Sequence, residues 1–506
     1  MSDSPSSAPR DGALASTFRA LNHYNYRLFF GGQGISLIGT WMTRVATSWL
    51  VYEITREGWI LGIVSFSGQI PILLVAPLAG AWVEQANRFR ILIATQALSM
   101  IQSFALAALS LAHIIDVWQI IVLAAMQGLI NAVDTPARQA FLVELIEDRR
   151  DLSNAIALNS SMFNGARLIG PSIAGLLYAE VGAGYCFLID GISYIAVIAA
   201  LLAMRVKPHV VQPRKHNIWH DLVEGYFYVY RLTPLRAIFL LLGLLSIFGI
   251  PYGTLMPVFA DSLARDDISG HAARVEDHLS STWYSPSPST GEGRSEGVAP
   301  TDAIASRADT ASQLSAAGAR IYGFLLAATG TGALCGALFL ASRSTIVGLG
   351  RVIAFNATMF AVSVVIFAFS RWLWLSLLTS FTAGFGMMAH MAASNTIVQT
   401  VVDDDKRSRV MGFYTMTVLG MTPIGSLFAA GLVVLLNRLF GTTGTPFGAR
   451  YTVAIGGLLS LAGVIYFIIR LPALRKAARP MLERVGVLPQ IATGLESTEI
   501  GARARG

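Results

Sequence analysis

Residues 184–204 read GYCFLIDGISYIAVIAALLAM, an apolar run with one charged side chain, Asp190. A helix rises 1.5 Å per residue, so a run of this length crosses the roughly 30 Å hydrocarbon core of a bilayer. Similar runs lie before it at 26–52, 59–83, 90–112, 117–137 and 155–179. Others follow at 237–260, 319–342, 352–370, 372–398, 410–436 and 450–470. In lipid, only helices and closed barrels satisfy every backbone polar group. These runs are too long and too continuous for barrel strands, which alternate over about 10 residues. The sequence therefore predicts an all-α polytopic membrane protein with twelve transmembrane helices, six and then six.

Composition agrees. The 506 residues are 54% hydrophobic and only 13% charged, against about 25% charged in soluble domains. That excludes most soluble enzymes, disordered chains and fibrous proteins. The net charge of +7 comes from 37 Lys and Arg against 30 Asp and Glu. With the N-terminus placed in the cytoplasm, 26 basic residues fall in cytoplasmic tails and loops and nine in outside loops. Basic residues collect on the cytoplasmic side, so both termini are expected inside a cell inner (plasma) membrane. The charge reads as orientation, and no nucleic-acid partner is implied. Residues 1–19 lack the apolar core of a cleaved signal peptide. Cys186 and Cys335 sit in apolar runs without metal spacing and are expected to be inert buried thiols.

The expected organisation is a cytoplasmic tail 1–25, a six-helix bundle 26–204, a linker 205–236, a second bundle 237–470 and a tail 471–506. Residues 217–236 mix apolar and charged side chains at helical spacing. They can lie along the inner membrane surface, with Trp219, Tyr226 and Phe227 in the interface and Arg231 and Arg236 near phosphates. Residues 261–320, rich in Ser, Gly, Ala, Pro and Thr, show no periodicity and are expected to form a disordered outside loop.

The halves repeat weakly, as transporter halves do. Glu147-Asp148-Arg149-Arg150 follows span 4, and Asp403-Asp404-Asp405-Lys406-Arg407 follows span 10. Gly170-Pro171-Ser172-Ile173-Ala174-Gly175 in span 5 parallels Gly425 to Gly431 in span 11. Matched cytoplasmic clasps are expected from the charged clusters.

Longer strings carry a family resemblance. They are Asn25-Tyr26-Arg27-Leu28-Phe29-Phe30, Gly39-Thr40-Trp41-Met42, Ser48-Trp49-Leu50-Val51-Tyr52-Glu53, Asp134-Thr135-Pro136-Ala137-Arg138-Gln139-Ala140-Phe141 and Asn154 to Ser160. The chain resembles the major facilitator superfamily, in the branch of enterobactin exporters, macrolide efflux proteins and transmembrane secretion effectors. The resemblance implies two six-helix bundles rocking about a central site. It covers nearly everything except the tails and 261–320. The superfamily's loop between spans 2 and 3 usually reads G-x-x-x-D-R-x-G-R-R. Here Gly80 fits, and close approach to a neighbouring helix is expected there. Glu84 replaces the Asp, Gln85 the first Arg and Asn87 the Gly, while Arg88 and Arg90 follow. Span 5 resembles the antiporter signature at Gly170, Pro171, Ala174 and Gly175, which implies export. The span 4 signature Arg is absent; Ala124 stands there, ahead of Gln127-Gly128.

Ionisable groups in hydrocarbon are expensive, so they face a cavity or a partner. Arg44 in span 1 and Asp190 in span 6 lie at similar depth and are expected to pair, either as a protonation switch or as a static contact. Arg167, mid-span beside Gly170, meets an anionic substrate, a carboxylate or a polar partner. Asp134 and Arg138 stand i, i+4 and can pair along their helix. His390 is either titratable near neutral pH or a packing residue. Gln33, Gln69, Gln127, Asn131, Asn159 and Asn164 can line a cavity or bond between helices. Trp41, Trp49, Phe66, Phe163 and Tyr414 can wall a pocket for a bulky substrate. No nucleotide loop, zinc-protease motif or serine elbow occurs, so neither an enzyme nor a cofactor is expected. The expected function is secondary active export of a drug- or siderophore-like small molecule by proton antiport, as a monomer in the bilayer. An importer, a lysophospholipid flippase and a non-transporting receptor are the alternatives.

Overall fold

The computed structural model describes residues 18–146, 148, 151–206, 218–266, 300–343, 348–442 and 445–484. The first tail through residue 17, the linker stretch 207–217, the loop centre 267–299 and the last tail from 485 lie outside the described residues.

Six helices form the first bundle: α1 Tyr24–Thr55, α2 Gly58–Glu84, α3 Arg88–Leu111, α4 Val117–Glu144, α5 Leu152–Val181 and α6 Ala183–Leu202. A shorter helix, α7 Ile218–Arg231, leads to the second bundle. There α8 spans Thr233–Asp266, with a π turn at Leu245–Gly249. Then come α9 Pro300–Ala341, α10 Leu349–Phe369 and α11 Leu373–Val401. Helix α12 runs through Asp404–Thr415, a π turn at Met416–Gly420 and Met421–Phe440, and α13 is Phe447–Arg484. The described residues contain no strand.

Local chemistry sets the ends. Asp116 opens α4 with a reciprocal capping box to Gln119, which satisfies two otherwise unpaired N–H groups. Asn87 caps α3 by accepting from the Arg90 N–H at 3.2 Å. Gly182 turns the chain from α5 to α6 at a φ of +82°, a left-handed position that costs glycine little.

Nine of these helical segments are apolar enough to cross a membrane by length and composition. Helices α1, α5 and α11 are as long but carry more polar residues, including Thr40 and Arg44, Asn164 and Arg167, and Ser380 and His390. Three of the twelve expected spans therefore fall outside that nine. The polar side chains are the physical reason.

Helix α1 packs on α5 and α6, α2 on α4, and α3 on α4 and α6. In the second bundle α11 packs on α9 and α10, and α13 packs on α8, α10 and α12. The main seams between the bundles are α5 with α9 and α2 with α12, and α1 also meets α9. Lipid offers no hydrophobic gain for bringing helices together, so close packing of small residues carries these seams. A Cβ on Gly175 would lie 3.0 Å from the Gly323 Cα, and one on Gly62 would lie 2.7 Å from the Ala430 Cβ.

Three expectations change, and the linker helix gains a partner. The segment 261–320 is helical at both ends: α8 runs to Asp266 and α9 begins at Pro300. Buried Asp261 and Ser315 anchor those ends. Gly80 has open space where a Cβ would stand, so no neighbour approaches it closely. Helix α7 docks on α12: Glu224 accepts from Lys406 at 2.5 Å and from Arg409, and the Tyr228 hydroxyl donates to Asp403 at 2.9 Å. Tyr226 and Phe227 remain about half exposed. Cys335 is only half-buried, whereas Cys186 is buried.

Candidate functional site

The helices bring polar residues together in four places. The first is the crevice between the bundles. Arg44 lies over the Trp41 ring at 4.6 Å from its centroid, and Arg167 of α5 lies 5.7 Å from the same centroid. Trp41 also meets Phe163 edge-on at 6.0 Å. Gly170 makes room for it: a Cβ there would lie 2.5 Å from the Trp41 Cβ. The sequence marked Gly170 through its antiporter-like motif; the structure places it as the seat of an aromatic ring. Tyr322 of α9 stands near Arg44, and Tyr252 of α8 stands near Arg167.

The expected Arg44–Asp190 pair does not form. Asp190 Oδ2 accepts from Thr43 at 2.8 Å and from Ser103 at 2.8 Å. Its Oδ1 is buried without a partner. Equal depth brought the two residues to one level, but consecutive helix positions point about 100° apart. Thr43 therefore takes the direction towards α6, and Arg44 turns to the crevice. Gly39 allows the approach of α1 to α6, since a Cβ there would lie 2.6 Å from Asp190 Oδ1.

The second place is a buried polar stripe on α3. Thr95, Gln96, Ser99, Gln102 and Ser103 are all buried and recur at the spacing of one helix face. That spacing is legible in the sequence as a polar face on an otherwise apolar span. At one end Thr95 and Gln96 each donate to Asp134 Oδ1 at 2.8 Å, and Arg138 pairs with Asp134 Oδ2 at 2.7 Å. In the middle Gln127 donates to Ser99 at 3.2 Å and to Asn131 at 3.3 Å. At the other end lies Asp190. The stripe thus links a carboxylate that has a cation to one that has none.

The third place is the end away from the basic loops, where latches tie the bundles. The Glu53 carboxylate accepts from Tyr178 and, at 2.5 Å, from Ser315 of α9. Trp49 stacks on Tyr322 with centroids 6.2 Å apart. Asp261 accepts from Tyr52 at 3.2 Å and from Arg56 at 2.9 Å, and Arg265 joins it at 2.9 Å. Arg320 pairs with Glu180. The pairs that cross between helices were not anticipated, because their partners lie far apart in sequence; Arg265 and Asp261 stand i, i+4 on one helix.

At the opposite, basic end is the fourth place. Asp151 pairs with Arg19 and lies 3.1 Å from His23 Nε2. The His23 hydrogen bond, with help from Arg19, holds the Asp151 carboxyl below its usual range. Arg88 pairs with Glu144, and Arg90 is exposed. The Glu84 side chain lies outside the described residues.

The other candidates scatter. His390 is buried in the second bundle, its Nδ1 at 2.9 Å from the Gly386 carbonyl oxygen and its ring 6.2 Å from Phe360. Gln69 donates to Ser65 at 2.7 Å, and Asn164 donates to the Ser160 carbonyl at 2.9 Å. Gln33 is buried and Asn159 half-buried. Pro171 and Gly175 belong to the α5–α9 seam, and Ala174 is buried beside them. Among the described residues no cluster of His, Cys, Asp and Glu suits a metal.

Residues 15–275 and 309–493 match the family described as transmembrane secretion effector. The chain is 29% identical over 239 residues to the staphyloferrin A transporter of Staphylococcus aureus, covering 47% of this chain and 59% of that protein. It is 26% identical over 207 residues to the multidrug efflux pump Tap of Mycolicibacterium fortuitum, covering 40% and 51%. It is 24% identical over 245 residues to macrolide efflux protein A of Streptococcus pyogenes, covering 47% and 60%. The matches thus span between half and three-fifths of each relative's length. Among solved structures, the nucleoside transporter NupG superposes with a TM-score of 0.60 at 14% identity, covering 89% of this chain and 99% of that one. A bacterial homolog of the human lysosomal transporter Spinster, inward-facing and unoccupied, gives 0.58 at 12% identity, covering 93% and 99%. At such identities the likeness concerns the fold alone.

Proposed function

The chain belongs to the transmembrane secretion effector family of the major facilitator superfamily, and from that premise we propose that it is a proton-driven exporter of a small molecule. It works as a monomer in the inner membrane, with both termini cytoplasmic, by rocking its bundles about the crevice. The observation that carries this reading is Asp190, a carboxylate buried inside the first bundle with hydroxyl donors and one unpartnered oxygen. With hydroxyl donors on one oxygen and nothing on the other, this carboxylate is placed to take up and release a proton as its surroundings change. Thr43, the residue next to Arg44, holds it, and Arg44 faces the crevice where a substrate would sit. The latches at Glu53 and Asp261 support a state closed at the far end, with access from the basic end. The matched relatives include a siderophore transporter and two efflux proteins, which supports export of such compounds.

The test is flux in proteoliposomes under an imposed pH gradient, screened over siderophores, macrolides and lysolipids. Export that accelerates when protons can flow the other way is the expected result. Flux indifferent to the gradient for every substrate removes antiport. Preferred inward movement removes export.

A further inference from the structure

We propose that the crevice binds an organic anion with at least two acid groups and a planar apolar part, held by Arg44 and Arg167 around the Trp41 ring. The inference rests on the exporter reading and names its substrate class.

Charge gives the first reason. Near the ends of the bundles, arginines are matched: Arg138 with Asp134, Arg56 with Asp261, Arg320 with Glu180. Arg44 and Arg167 have neither an ion pair nor a hydrogen bond among the described residues, and both lie mid-span. An arginine at that depth faces a cavity or a partner, and two beside one ring repel each other. Such a pair is retained where a ligand supplies the missing charge. One carboxylate leaves one cation uncompensated; two acid groups satisfy both, each able to accept a forked pair of N–H bonds. Arg44 is open to the crevice and Arg167 half so, which leaves their donors accessible.

Shape gives the second. Trp41 presents an indole within reach of both guanidiniums, and Phe163 braces it edge-on. Gly170 admits no side chain under Trp41, so the ring is fixed in place. Tyr322 and Tyr252 of the second bundle stand beside Arg44 and Arg167, so an anion held by the arginines would lie against both halves. That contact is what couples occupancy to rocking. Organic cations meet two like charges here and are repelled.

Purified protein in detergent is titrated with trimellitate (benzene-1,2,4-tricarboxylate), with tetraphenylphosphonium and with lysophosphatidylglycerol. Calorimetry and thermal unfolding are the readouts. Trimellitate is expected to bind and to raise Tm. Arg44→Gln and Arg167→Gln should each weaken it about tenfold or more, the loss expected for a charge-assisted hydrogen bond. Trp41→Phe keeps a ring for packing and should weaken it less. Lysophosphatidylglycerol, with one acid group, should compete only weakly; binding as tight as trimellitate's would overturn the requirement for two acid groups. Tetraphenylphosphonium binding better than trimellitate, or arginine variants that fold and keep trimellitate affinity, would overturn the proposal. Binding is read without any gradient. A protein that binds trimellitate but moves nothing overturns the exporter reading and leaves the site standing. A protein that exports cations and ignores trimellitate does the reverse.

Discussion

Thr43 and Arg44 are neighbours on α1 that serve different compartments of the protein. Thr43 donates to Asp190 inside the first bundle at 2.8 Å, while Arg44 lies over Trp41 in the crevice between the bundles. A change of charge at Asp190 alters its hold on Thr43, and a small rotation of α1 then moves Arg44. One peptide unit thus connects the proposed proton site to the proposed substrate site.

If that connection operates, Asp190→Asn abolishes substrate-driven proton movement. The amide still accepts from Thr43 and Ser103, and no cation loses its partner, so Tm should change little. A pH-sensitive dye inside proteoliposomes gives the readout. A variant that moves protons with substrate as the parent does would end the role assigned to Asp190.

Asp134 behaves differently because Arg138 accompanies it at 2.7 Å. Removing one partner of a buried ion pair leaves the other charge exposed to a low dielectric, at a cost of about 3 kcal/mol. Arg138→Met should therefore lower Tm clearly, and adding Asp134→Asn should recover part of the loss. Thermal unfolding of both single variants and the double gives the coupling. Additive losses would mean that the pair contributes nothing.

Two glycines of similar appearance in sequence should respond oppositely. A Cβ at Gly39 would lie 2.6 Å from Asp190 Oδ1 and 3.1 Å from its Cα, so Gly39→Ala forces α1 from α6. Overpacking of this kind costs about 1–3 kcal/mol. Gly80 faces open space, so Gly80→Ala should stabilise its helix by up to about 1 kcal/mol. The Tm of each variant decides; a loss at Gly80 equal to that at Gly39 would contradict the packing.

Much of the architecture was legible because lipid imposes a simple rule: each crossing needs a continuous apolar run. The i, i+4 spacing of Asp134 and Arg138 similarly announced a pair that formed. Depth, however, is only one coordinate of a helix residue. Arg44 and Asp190 agree in height, and their pairing failed on direction around the axis. The far-end latches were hidden for another reason. Glu53 and Ser315 are 262 positions apart, and Ser315 and Asp261 lie in helices at the two ends of a stretch whose overall composition resembles a loop.

Glu53 gives a conformational prediction. Its carboxylate holds Tyr178 and Ser315 across the far end. Glu53→Gln keeps one acceptor oxygen and loses the charge. A hydrogen bond to a charged group is worth about 1.5–3 kcal/mol, so the balance should shift about tenfold towards far-end opening. Spin labels at exposed Ile114 and Trp372, one per bundle at that end, report the separation. A longer distance should gain population in the variant. An unchanged distribution would show that Glu53 does not hold that end closed.

The basic end gives the last prediction, through pH. The Asp151 carboxyl is held below its ordinary range first by the hydrogen bond from His23, and then by Arg19. A carboxyl lowered in the folded state binds its proton less readily than in the unfolded chain, whose value is about 3.9. The stabilisation is therefore fully present above that value and is lost as pH falls through the lower folded value. Thermal unfolding from neutral pH to about pH 3 should show this loss in the parent. Asp151→Asn should flatten that part of the profile, and so should deletion of residues 1–22, which removes Arg19 while leaving His23. Deletion should flatten it less, because the larger contribution remains. Equal flattening by both would place the anchor on Arg19 rather than on His23.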